Sequence, residues 1–120
     1  MSEDADAGAD ANADIERLAT VLEDPTARTI LTETSQEPLS ARTLSERVSE
    51  PTIYRRLEDL RECDLLVEQT KPDPERGHHR TMYATNFERL TVELRDGHLE
   101  LRVDRREDPA DRFTRLIEGM

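Results

Sequence analysis

The stretch that decides the fold is Ser40-Ala-Arg-Thr-Leu-Ser-Glu-Arg-Val-Ser-Glu-Pro-Thr-Ile-Tyr-Arg-Arg-Leu-Glu-Asp-Leu60. Its second half carries Ile53, Leu57 and Leu60 at i, i+4 and i+7, the single apolar stripe of a helix laid against a core. Ser49 has an N-capping side chain, and Pro51 falls in the first turn, where a missing N–H is tolerated. The first half predicts a shorter helix, capped by Ser40, running to about Arg47 and anchored by Leu44 and Val48. With the stripe inward, Thr52, Tyr54, Arg55 and Glu58 face outward and Arg56 flanks the core.

Upstream, Ile15, Leu18, Ala19 and Leu22 repeat at helical spacing behind Asp14 as an expected N-cap. Glu23-Asp24-Pro25 interrupts, and a second helix is expected from about Thr26 to Thr34 with Ile30 and Leu31 inward. Downstream of Cys63-Asp64 the period turns strand-like. Leu65 to Gln69 pairs with Arg80 to Thr85 across a polar 70–79 loop, whose prolines and glycine forbid regular structure at the tip.

A second hairpin is written more sharply. Leu90, Val92 and Leu94 alternate with polar residues, Asp96-Gly97 follows, and Leu99, Leu101 and Val103 alternate again. Asp-Gly favours a two-residue type I′ turn, which pairs Arg95 with His98, Leu94 with Leu99, Val92 with Leu101 and Leu90 with Val103. All six apolar side chains then share one face. A lone hairpin is marginal in water, so that face must cover something. A last helix is expected over 109–118, capped by Asp108, with Phe113, Leu116 and Ile117 on its apolar side.

The 120 residues hold 28 acidic and 17 basic side chains, for a net charge of −11. Of the basic residues only Lys71 is not arginine. Residues 1–14 carry five acids and no large hydrophobe beyond Met1, which predicts a disordered acidic tail. No apolar run is long enough to span a membrane and no secretory signal is present, so a cytoplasmic protein is expected, with no membrane partner. A folded chain rich in Asp and Glu and nearly free of Lys resembles the proteins of extreme halophiles, whose self-repelling surfaces are screened by salt. The net charge speaks against nucleic-acid binding, but its distribution does not. Residues 51–57 hold two Arg and no acid, residues 76–80 hold two Arg and two His and no acid, and Arg42 and Arg47 lie on the preceding helix.

The block from Pro38 to Leu66, with its Ser-x-Pro-Thr-Ile-Tyr-Arg-Arg-Leu core, resembles the winged helix-turn-helix of ArsR-type regulators, particularly acidic haloarchaeal ones. Leu22 to Leu31 is similar to that family's opening helix, and Arg76-Gly-His-His-Arg-Thr-Met-Tyr83 to its wing. The resemblance covers residues 15 to 118. It implies an α+β fold, a three-helix core plus β-wing at 15–86, with the 87–120 hairpin and helix added for dimerisation. It also implies a sequence-specific regulator, a homodimer on double-stranded DNA with a pseudo-palindromic operator. The helix from Pro51 would then enter the major groove and the wing would touch phosphates. One departure is that Leu44 and Ile53 stand closer together than the family's usual spacing.

The DNA-contacting set expected on these grounds is Arg42, Ser49, Pro51, Thr52, Tyr54, Arg55, Arg56, Arg76, His78, His79 and Arg80. Arginine grips guanine bidentately, and hydroxyls and a helix N-terminus bind phosphate. The plainer reading of Arg55 and Arg56 is a solvated helix face on which they pair with Asp59 and other acids. The expected dimer residues are Ile15, Leu18, Leu22, Leu94, Leu99, Leu101, Phe113, Leu116 and Ile117. Adjacent His78 and His79 without a paired-Cys motif make a poor metal site, so neither metal nor cofactor is expected. Cys63 reads as an inert, buried cysteine. No Gly-rich phosphate loop, Ser-His-Asp order or carboxylate pair stands out, so an enzyme is not expected. Two rivals remain: a winged-helix module that binds another transcription factor, and a sensor gated by a small effector or by thiol oxidation.

Overall fold

A computed structural model describes residues 2–48, 51–75 and 77–106, with side chains from residue 12 onward except that of residue 78. It is a mixed α+β fold of four helices and two antiparallel hairpins. Among the described residues no helix is long and apolar enough to cross a membrane.

Helix α1 spans Ser2–Leu22. The helix takes in residues 2–14 of the acidic segment, and Asp14 lies inside it instead of capping it. Alanine at every second position from residue 5 to 13 is the physical reason, since alanine is the best helix former and acids suit a helix N-terminus. Further along, Leu18 and Val21 are buried and Ile15 and Leu22 half-buried, whereas Ala19 faces solvent. Helix α2 (Pro25–Gln36) begins on Asp24, whose Oδ2 accepts from Ala27 N at 2.9 Å, with Pro25 at the first position.

Ser40 caps the short helix α3 (Ala41–Arg47) through a 3.1 Å bond from Thr43 N, as its side chain predicted. Helix α4 (Ile53–Glu62) starts later than expected, with Thr52 at the N-cap position and Pro51 outside the helix. A cap at Ser49 would put Pro51 at the second helical position, where it offers no N–H to the capping oxygen. Ser49 itself lies outside the described residues. The other end of α4 is a Schellman close. Leu65 N donates to Leu60 O and Asp64 N to Arg61 O, both at 3.0 Å, with Asp64 left-handed at φ 59° where glycine is usual.

Strands β1 (Leu66–Asp73) and β2 (His78–Thr85) pair from Leu66↔Thr85 to Asp73↔His78. The expected 70–79 loop thus shrinks to residues 74–77. Pro72 fits within β1 because an edge strand leaves one side of its backbone unbonded. On the far side of β2, Leu39 exchanges two backbone bonds with Tyr83, at 2.9 and 2.7 Å, and fastens the α2–α3 connection to the hairpin. Strands β3 (Phe87–Arg95) and β4 (His98–Arg105) keep the register read from Asp96-Gly97, with φ of 52° and 78° at the turn.

One core runs through Leu18, Ile30, Leu44, Ile53, Leu57, Leu60 and Leu65. Phe87, Leu90 and Leu101 pack onto it, so the expected boundary at residue 86 does not divide the chain into separate cores. A bulge between Phe87 and Arg89 lets Phe87 join Leu90 on the core side, against strict alternation. The expected last helix lies outside the described residues.

A polar clasp is set into this core. The buried Thr34 and Thr85 hydroxyls lie 2.8 Å apart; Thr34 Oγ1 also meets Ile30 O at 2.7 Å, and Thr85 Oγ1 donates to Leu31 O at 2.8 Å. Thr85→Val keeps the shape and removes the link between α2 and β2, so it should lower unfolding free energy in urea by about 1–2 kcal/mol. The Thr34→Val/Thr85→Val pair should lose less than the sum of the single changes, because the two hydroxyls act as one unit.

Candidate nucleic-acid interface

The buried Ile53, Leu57 and Leu60 fix the rotation of α4 against α2, α3 and β1. That rotation turns Tyr54, at 66% exposure, and Arg55 to solvent at the N-terminal end of the helix. Among the described residues Arg55 makes no ion pair or side-chain hydrogen bond. Pro51 is exposed and Thr52 half-buried beside them. Arg55 also lines the cleft between α1 and α4, beside Arg17 and Glu62.

Arg56 is held differently. Its guanidinium turns back to Asp24 (Nε to Oδ2, 2.8 Å) and Asp59 (Nη1 to Oδ2, 3.4 Å), with the Arg56 and Asp24 side chains only 29% and 25% exposed. Asp24 therefore serves twice, as the α2 N-cap and as the anion that holds α4 against α2. The Arg56 side chain, expected at a groove, is thus taken up inside the fold. Arg47 is likewise occupied, by Glu33 at 2.8 Å and Glu37 at 3.4 Å, and Arg61 by Glu58 at 2.9 Å and Glu68 at 3.2 Å. Arg42 stays exposed, with only a loose 3.8 Å approach to Glu46.

The β1–β2 hairpin adds a second cationic surface. Arg80 is exposed and stands directly across from Lys71, so the two share a face. Arg80 approaches Asp73 at 3.7 Å, and Lys71 makes no ion pair among the described residues. His79 is exposed and pairs with Pro72, a position on the opposite face from Lys71 and Arg80. The His78 backbone pairs with Asp73, and Arg76 lies outside the described residues. Lys71 is an exposed cation on the Arg80 face that sequence reasoning did not single out. Its signal was its place in the first hairpin, obscured by attention to the histidines and arginines that follow it.

The dimer set divides. Leu18 is buried in the chain's own core and is not available to a second copy, while Leu22 and Leu101 pack half-buried against that core. Ile15 is half-buried; Leu94 and Leu99 are exposed. Phe113, Leu116 and Ile117 lie outside the described residues.

A cleft of about 870 Å³ opens between α1 and α4, lined among others by Arg17, Thr20, Asp59 and Cys63. Burial pushes the Cys63 thiol above its ordinary range, against a smaller opposing pull from Arg17, which is the wrong direction for a reactive thiolate. Among the described residues no group of three His, Cys, Asp or Glu is placed to hold a metal ion.

The adjacent arginines separate experimentally. Arg56→Ala removes the α2–α4 clamp and leaves Asp24 with its capping bond to Ala27 N, and should cost about 1–2 kcal/mol in urea unfolding, whereas Arg55→Ala should stay within about 0.5 kcal/mol of wild type. Equal effects would contradict the division of labour. The chain matches no family model and no curated protein.

Proposed function

We propose that this chain is a sequence-specific, double-stranded-DNA-binding transcriptional regulator of winged helix-turn-helix type, acting as a homodimer. The observation that carries it is the pairing of two surfaces. Helix α4 offers Tyr54 and Arg55 at its N-terminal end, and the hairpin that follows offers Lys71 and Arg80. The element order supports the same reading, since α2, the Leu39 bridge, α3, α4 and the β1–β2 hairpin follow one another as helices and wing do in that fold. Arg55 is the base-reading group in this arrangement, and Lys71 and Arg80 are phosphate contacts. Tyr54 reaches phosphate or base from the same turn.

A second reading has its own support. Glu58 and Glu62 are exposed on α4, and Arg61 is neutralised, so the outward face beyond the first turn is not cationic. A protein partner would accept such a face.

Fluorescence anisotropy with a duplex from upstream of the chain's own gene decides between them. Arg55→Ala should weaken binding about 10- to 100-fold, the value of one bidentate base contact. Lys71→Ala should weaken it less, and equally on every sequence. No binding by the wild-type protein at low salt, or unchanged affinity in both variants, would favour the protein-partner reading. The salt response is a further check. With Arg42, Arg55, Lys71 and Arg80 the main available cations among the described residues of these surfaces, and Arg76 outside the described residues, log K should fall with log salt at a slope no steeper than about −5 per protomer.

A further inference from the structure

The β3–β4 hairpin leaves an apolar outer half, with Val92, Leu94 and Leu99 at 51, 76 and 42% exposure. It also leaves an open edge. The sheet has two strands, α1 packs against β4, and among the described residues no third strand pairs with β3. Across a two-residue turn the closing pair, here Arg95↔His98, is hydrogen-bonded, and bonded and non-bonded pairs alternate from there. Leu90, Val92 and Leu94 therefore have the β3 backbone groups that point away from β4, free to receive a strand.

We propose that this edge is completed by β3 of a second copy, running antiparallel about a two-fold axis at Thr91. The choice of occupant rests on the homodimer in the reading above, not on DNA binding.

Charge selects the register. With the axis at Thr91, Arg89 stands opposite Glu93 of the partner subunit, Leu90 opposite Val92 of the partner subunit, and Thr91 opposite Thr91 of the partner subunit. Moving the axis to Val92 sets Arg89 against Arg95 of the partner subunit, and moving it to Glu93 sets two glutamates face to face. An axis at Leu90 leaves no charge pair. A half-step would oppose an apolar face to a polar one. Opposite charges directly across an antiparallel pair stabilise it and like charges destabilise it. Both members of the selected pair are suited to it. Arg89 is exposed and makes no ion pair among the described residues; Glu93 meets Arg95 at 2.7 Å but faces Glu100 across its own hairpin. The bulge between Phe87 and Arg89 ends the seam on one side, so it runs from Arg89 to Glu93.

The test uses the full chain. In a Cys63→Ser background, Thr91→Cys should form a disulfide-linked dimer in air, because a non-bonded antiparallel pair holds its Cα atoms about 4.5 Å apart, within disulfide range. Thr81→Cys, on the other hairpin, should remain unlinked. By sedimentation equilibrium, Arg89→Glu and Glu93→Arg should each raise the dimer dissociation constant about tenfold or more, since each creates two like-charge pairs per dimer. The double exchange should restore it to near the wild-type value. A wild-type monomer overturns the proposal, as does a dimer indifferent to both charge changes and unlinked by Thr91→Cys. Duplex binding by the same samples keeps the two readings apart. A linked dimer that ignores DNA refutes the regulator and leaves the seam, whereas an unlinked dimer that binds DNA refutes the seam alone.

Discussion

Ten residues of helix cannot hold themselves in water, so α4 exists because Ile53, Leu57 and Leu60 are buried. That burial is the constraint on which the rest depends. It fixes the rotation of the helix, and rotation decides whether each of two adjacent arginines meets solvent or protein. Arg55 and Arg56 differ by about 100° around the axis, enough to send one outward and the other to Asp24. The clamp then ties the start of α2 to α4 through a single carboxylate, so capping and helix packing are not independent.

The same logic changes what the charge means. A chain with sixteen arginines and a net charge of −11 invites a search for a cationic face, yet most described arginines near α4 are already engaged. Arg47 binds α3 to α2, Arg56 binds α4 to α2, and Arg61 binds α4 to β1. A planar guanidinium reaches two carboxylates at once, which suits it to such bridges better than a lysine ammonium. Much of the arginine content is thus architectural, and the exposed cations left over are few.

Where one periodicity dominated, the sequence was readable. The β3–β4 register followed from alternation plus Asp96-Gly97, because a one-residue slip would turn six apolar side chains to the wrong face. The Ser40 cap followed from side-chain chemistry, whereas the Asp24 cap was not expected. The failures have physical causes as well. Hydrophobicity could not see a helix over residues 2–14, since its support is alanine propensity, not burial. Pro72 was read as a breaker because its edge position is a tertiary fact. Neither the Leu39–Tyr83 bridge nor the Thr34–Thr85 clasp has a local signature, since each joins segments far apart in the chain. Choosing Arg55 over Arg56 needed the position of Asp24, which spacing within α4 does not contain.

The hairpin and α4 are also not free of each other. Arg105, at the end of β4, donates to the Asp64 carbonyl at the C-terminal close of α4 and to Asn86 Oδ1 at 2.9 Å. Asn86 in turn bonds Leu65 O through its N–H, at 3.2 Å, and receives Arg106 N at 2.8 Å. The base of the second hairpin is therefore latched to the residue that ends α4, on top of the packing of Phe87, Leu90 and Leu101. Exposure rises from that base toward the Asp96-Gly97 tip, so the hairpin is anchored at one end and available at the other. Any partner that docks on its outer half meets an element whose orientation to α4 is already set. A two-fold axis through β3 would then fix the separation of two α4 helices through the latch, without a contact between them. The fold thus provides a mechanical reason for the second hairpin to follow the first directly: the α4 helix and the β3–β4 hairpin share one junction, at residues 64–66 and 86, and what is held at the hairpin is held at α4.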